Sequence, residues 1–83
     1  MEFHTIKSIK PLENMILEVV FFNGEIKKYD VKNIIKKHEV FKDLENKELF
    51  DKVKVDIGGY GISWNEDIDL SSEEIWVNGT TVE

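Results

Sequence analysis

Between Asn65 and Glu74 the chain sets Asn65, Asp67, Asp69, Glu73 and Glu74 within ten residues. Alternating oxygen-bearing side chains are what a calcium loop uses. Every second residue reaches one ion, a glycine at the sixth position permits the sharp turn, and a glutamate at the twelfth closes the site. Counted from Asn65, the glycine position holds Leu70 and the twelfth holds Trp76. Both essential places are wrong, so the segment reads as a capped helix start with solvated acids. Asp67 and Asp69 could in principle form a glycosidase-type carboxylate pair, but two acids on one turn of so short a chain read as solvated. His4 and His38 are the only histidines and there is no cysteine. A zinc centre with three protein ligands would therefore need distant carboxylates. His38 is better explained as a helix-end residue. Ser8, Ser63, Ser71 and Ser72 sit in no G-x-S-x-G elbow, and Ser71 has a capping role. Gly58, Gly59 and Gly61 lack the following lysine of a phosphate loop and read as a hairpin turn.

The elements that must position these residues follow from pattern and turn chemistry. Phe3 to Ile9 is a first strand, ended by Pro11, which has no N–H for a ladder. Met15 to Phe22 and Glu25 to Val31 flank Asn23-Gly24, the strongest short-range signal for a two-residue hairpin turn. That turn sets Phe22 opposite Glu25, Phe21 opposite Ile26 and Val19 opposite Lys28. Leu17, Val19 and Phe21 form the apolar face and are assigned to the core. Asp30 caps a helix from Val31 to Lys37 that buries Ile34 and Ile35, with Lys36, Lys37 and His38 in its last turn. A connection carries Val40, Phe41 and Leu44. Asn46 caps a second helix through Lys52, burying Leu49 and Phe50.

Val53, Val55 and Ile57 then alternate with polar residues, as do Tyr60, Ile62 and Trp64. A two-residue Gly58-Gly59 turn pairs Ile57 with Tyr60, Val55 with Ile62 and Val53 with Trp64, and the apolar faces coincide. Ser71-Ser72-Glu73-Glu74 is a capping box ahead of Ile75, Trp76 and Val77, and Gly79 ends that helix in the left-handed region. Asp69 is expected to bind backbone N–H groups where this last helix begins. The order is β-ββ-αα-ββ-α: an α+β fold in which a small antiparallel sheet of about five strands carries two or three short helices.

The pattern resembles a small bacterial family catalogued as domain of unknown function 2442. The matching residues are Ile-x-x-Ile-Lys-Pro-Leu from Ile6 to Leu12, Phe21 with Gly24, and Asp30. Val40-Phe41 with Leu44, Glu48-Leu49-Phe50, and Gly59 through Trp64 to Asp69-Leu70 complete it. The resemblance covers nearly the whole chain, and it rests on order and spacing more than on any one motif. It implies a small α+β domain, found alone or fused to a helix-turn-helix. Stand-alone relatives are often encoded beside a second small protein, an arrangement suggestive of a toxin–antitoxin pair. The family supplies no catalytic residues to carry over, and no helix-turn-helix is read in these 83 residues, so the DNA-linked role is not expected to transfer.

Composition bounds what remains. Eighty-three residues make one domain, 1–83, and 41% hydrophobic residues suffice for a core but leave little room for a deep cofactor cavity. No apolar run approaches the ~20 residues of a membrane span, and MEFHTIKSIK lacks the apolar region of a signal peptide. A cytoplasmic location is expected, with no membrane partner. The net charge is −6, and every basic residue is lysine. Such a field, without a single arginine, argues against direct nucleic-acid binding. Residues 1–55 hold all 11 lysines and 10 acids, whereas residues 56–83 hold no lysine and 7 acids. An acidic final third suits solubility and would also steer a basic partner.

The reading is a non-enzymatic protein-interaction module, the acidic, antitoxin-like member of a two-protein system, with no catalytic, cofactor or metal residues. Its candidate partner surface is Glu66, Asp67, Asp69, Glu73 and Trp76, facing a small basic protein or a second copy of the chain. Trp76 itself reads either as a core plug or as an interface anchor. The alternatives are a small metal-dependent hydrolase using Asp67, Asp69 and a histidine, and, last, a regulatory nucleic-acid-associated domain.

Overall fold

The computed structural model describes residues 4–82. Among these residues the fold is α+β, with seven strands in two antiparallel sheets and three short α-helices. β1 (Ile6–Pro11), β2 (Ile16–Phe21), β3 (Ile26–Asp30) and β7 (Thr80–Thr81) form the first sheet, in that order. β4 (Lys54–Val55), β5 (Gly61–Ser63) and β6 (Asp69–Ser71) form the second. The helices are α1 (Val31–Ile35), α2 (Lys47–Phe50) and α3 (Ser72–Asn78). One expected sheet of about five strands is thus two sheets, because no ladder joins β4 or β5 to β1, β2 or β3; β6 and β7 each add a strand that their short sequences do not announce. Pro11 does close β1, while Phe3, at the start of the expected first strand, lies outside the described residues.

Leu17, Val19 and Phe21 point into the core, as their alternation requires. The β2–β3 register differs from expectation by one residue: Val20 pairs with Ile26 and Val19 with Lys27. The loop holds three residues, not two. The Gly24 N–H donates to the Phe21 carbonyl and the Phe21 N–H to that of Glu25. Among the loop residues only Gly24 has a positive φ, +91°. Asn23 keeps an ordinary φ and instead accepts the Glu25 N–H on its side chain at 2.9 Å. This is a type I turn closed by a left-handed glycine, the usual three-residue hairpin. A one-residue slip exchanges the faces of a strand. It turns Tyr29 and Val31 into the core with Lys27 and leaves Lys28 outside. The β1–β2 turn places Asn14 and Met15 at φ 60° and 59° with no glycine at all.

Asp30 caps α1 through the Lys32 N–H, but the helix ends at Ile35, so Lys36, Lys37 and His38 lie beyond it. Ile34 is buried, and Ile35 only half-buried. Residues Glu39–Glu45 form a 3-10 segment that buries Phe41 and Leu44 and leaves Val40 exposed. Asn46 caps α2 through the Glu48 and Leu49 N–H groups. This helix stops at Phe50, which is buried, whereas Leu49 is half-buried.

In the second sheet Val55 pairs with Ile62, the expected register. The connection is longer than Gly58-Gly59. A 3-10 turn, Ile57–Gly59, intervenes, and Ile57 and Tyr60 face solvent instead of pairing. Trp64 is buried near Val53 and donates its indole N–H to the Phe50 carbonyl at 3.1 Å. Gly79 is extended, with φ −78°, and not left-handed. A side chain there would press on the Ile75 carbonyl and on Lys27. One core joins both sheets: Ile6, Leu17, Val19, Phe21 and Tyr29 from the first, Ile62 and Leu70 from the second, and Ile75 from α3.

Candidate functional site

Residues in the second sheet alternate about its plane. Val55, Ile62 and Leu70 turn toward the core. The opposite face carries Lys54 beside Ser63 beside Asp69, and Asp56 beside Gly61 beside Ser71. The Ser63 hydroxyl donates to Asp56 at 2.7 Å, and Asp56, Tyr60 and Asp69 line one shallow recess. Glu66 and Asp67 project from the tip of the β5–β6 hairpin, both exposed. Asn65 organises that tip by accepting the Asp67 and Ile68 N–H groups at 2.9 Å each. Its carboxamide thus serves backbone groups, the role Asx residues play in turns. At the other end of the sheet, Ile57 is fully exposed and Tyr60 is 59% exposed.

Asp69 does not serve α3. It is exposed on β6, and Ser71 caps the helix by accepting the Glu74 N–H at 3.1 Å. The strand carries Asp69 away from the helix start and leaves the serine there. The capping box is only half formed, because the Glu74 side chain turns to Tyr29 and Asn78.

Glu73 and Trp76 are occupied by the N-terminal segment. The His4 N–H donates to Glu73 Oε2 at 2.9 Å, and its ring Nδ1 lies 3.0 Å from the same oxygen. The backbone N–H of His4, with its ring, holds the Glu73 carboxyl below the usual carboxylate range. The His4 ring stacks on Trp76 with centroids 3.8 Å apart, while Phe21 meets the indole edge-on. The Lys27 ammonium sits 4.6 Å from the indole centroid. Trp76 is half-buried and packs on the core. Of the five expected surface residues, Glu66, Asp67 and Asp69 are therefore displayed on the second sheet, and Glu73 and Trp76 form a separate cluster with His4 and Lys27.

Among the described residues no group of three or more His, Asp or Glu side chains is assembled to hold a metal ion, and no helix is long and apolar enough to cross a membrane. Sequence reasoning missed Ile57 and Tyr60 as surface residues, since they read as a facing pair. Gly58-Gly59 gave no warning, since two consecutive glycines are also what a two-residue hairpin turn prefers; in the structure both are left-handed, at φ +85° and +78°, inside the longer loop. It also missed the network in which Tyr29 and Asn78 both donate to Glu74 Oε2 at 2.9 Å.

These features define a small α+β domain whose second sheet presents an acidic face edged by apolar side chains. A family model described as a protein of unknown function, DUF2442, matches residues 6–81, and the chain belongs to that family. No curated protein and no solved structure matches it.

Proposed function

We propose that the chain is a non-enzymatic protein-interaction module that docks a basic partner on the outer face of its second sheet. The observation that carries this reading is Ile57, fully exposed beside the largely exposed Tyr60. Single exposed apolar side chains, such as Phe22 and Val77, are ordinary, but two such groups at the rim of a charged face supply the apolar contact that an interaction surface uses. The charged residues of that face and its hairpin tip are Asp56, Glu66, Asp67 and Asp69 against Lys54 alone. Such a field favours a partner rich in lysine or arginine around an apolar contact. The small protein encoded beside stand-alone relatives is the first candidate, and the chain is then the acidic, antitoxin-like member of the pair.

The test is a pull-down from the source organism with the tagged protein, followed by titration calorimetry on the partner recovered. Ile57→Ser and the triple variant Glu66→Lys, Asp67→Lys, Asp69→Lys should each weaken binding by about tenfold or more. Wild-type affinity in both variants would overturn the assignment of this face.

A further inference from the structure

A recess of about 480 Å³ opens between the end of α1 and α3, in the size range of small-ligand sites. It lies away from the acidic face and does not depend on the docking reading. Its lining is sorted by charge. One wall is Lys36, Lys37 and His38, three consecutive basic residues that form no ion pair among the described residues. The backbone is held there because the Lys37 and His38 N–H groups both donate to the Ile34 carbonyl. The other wall is Glu74, with Asn78 and the buried Tyr29. Tyr29 and Asn78 both donate to Glu74 Oε2 and fix the carboxylate in place. Oε1 receives no hydrogen bond within the described residues. Burial, and then the hydrogen bond and charge of Glu74, push the Tyr29 phenol far above its ordinary value. The phenol therefore stays a donor to the Glu74 carboxylate. Asp30, also on the lining, is already paired with Lys32 at 3.0 Å.

A cationic wall facing one fixed carboxylate suits a ligand that carries both charges. We infer that this recess binds a small zwitterion of the α-amino-acid class, its carboxylate against Lys36, Lys37 and His38 and its ammonium on Glu74. Charge-assisted hydrogen bonds at both ends make the recognition two-point. The cationic side chains are exposed, so salt screens that end and binding is weak, near the millimolar range.

The experiment is a series of amide NMR titrations of the full chain with each of the common α-amino acids to about 10 mM. Acetate and methylammonium serve as single-charge controls. At least one amino acid should give saturable shifts centred on Tyr29, Asn33, His38, Glu74 and Asn78. Acetate and methylammonium should bind about tenfold more weakly or worse. Glu74→Gln and the double variant Lys36→Ser, Lys37→Ser should each weaken binding by a similar factor while keeping the wild-type spectrum elsewhere. Absence of saturable shifts with every amino acid would overturn the inference. So would acetate binding as well as the amino acid, or wild-type affinity in the Glu74→Gln protein.

Discussion

Gly59 and Gly24 give a matched pair of substitutions that tests how the two sheets are held together. Both glycines are left-handed, at φ +78° and +91°. An alanine at either position loses about 1–2 kcal/mol from that backbone conformation alone. At Gly24 an added Cβ meets nothing within 4 Å, so the conformational cost is the whole cost. At Gly59 the same atom falls 2.6 Å from the Ile6 carbonyl oxygen, 3.0 Å from the Ile6 nitrogen and 3.3 Å from Thr5 Cβ. Carbon–oxygen contacts ordinarily lie at about 3.3–3.6 Å, so the overlap is ~0.8 Å, and it falls on backbone that cannot rotate aside. Forcing β1 away adds about 1–3 kcal/mol, the usual range for overpacking. Gly59→Ala should therefore cost ~2–5 kcal/mol and Gly24→Ala ~1–2 kcal/mol. A domain of 83 residues has roughly 4–12 kcal/mol in all, so the first change consumes a large fraction of it.

Urea denaturation followed by the emission of Trp64 and Trp76 together measures both. With a slope of ~1 kcal/mol/M, the midpoint should fall by about 1–2 M for Gly24→Ala and by at least about 2 M for Gly59→Ala. Equal midpoints with unchanged slopes would refute the reasoning. They would mean that the contact between Gly59 and Ile6 does not clamp the second sheet against β1.

Two further outcomes follow from single side chains. Glu73 is held below its ordinary value in the folded chain by His4, so the stability it contributes is present above the unfolded value of about 4.3 and is lost as the pH falls through the lower folded value. Glu73→Gln should therefore be less stable than wild type at neutral pH, with the gap closing as the pH drops below about 4; urea midpoints across that range measure it. Trp64→Phe removes the indole donor from the Phe50 carbonyl at the end of α2 and should cost about 1–3 kcal/mol from that bond alone, read as a lower urea midpoint by circular dichroism.

What could be read from the sequence was what is decided locally. Asp30, Asn46 and Ser71 each cap the helix they precede, because a side-chain oxygen there needs only its own next turn. The inward face of β2 followed from alternation alone. The β2–β3 register did not, since Asn-Gly serves two loop lengths and only the tertiary packing of Tyr29 and Val31 selects between them. β6 and β7, at three and two residues, are too short to carry a periodic signal. The contacts that define the sites are longer in range still. His4 reaches Glu73 across 69 positions and Tyr29 reaches Glu74 across 45. No spacing rule spans such separations, so Glu74 read as a capping-box residue when its side chain belongs to the recess.

The uneven charge along the chain becomes an uneven charge in space because most strands of the two sheets are drawn from different parts of it; β4, which carries Lys54, and the uncharged β7 are the exceptions. β1, β2 and β3 come from the lysine-bearing first 55 residues, and β5 and β6 from the lysine-free remainder. Folding therefore separates an acidic face on the second sheet from a cationic wall at the end of α1. The acidic face and its apolar rim then act on different steps of association. Exposed charges chiefly set how fast a basic partner arrives, and their effect fades with salt, whereas a buried apolar anchor sets how slowly it leaves. If Ile57 is the anchor and Glu66, Asp67 and Asp69 the steering charges, then Ile57→Ser must raise the dissociation rate at any ionic strength. The charge-reversed triple variant must instead slow association and flatten its salt dependence. Both variants acting on the same rate constant would mean that the apolar rim and the acids do not divide the work in this way.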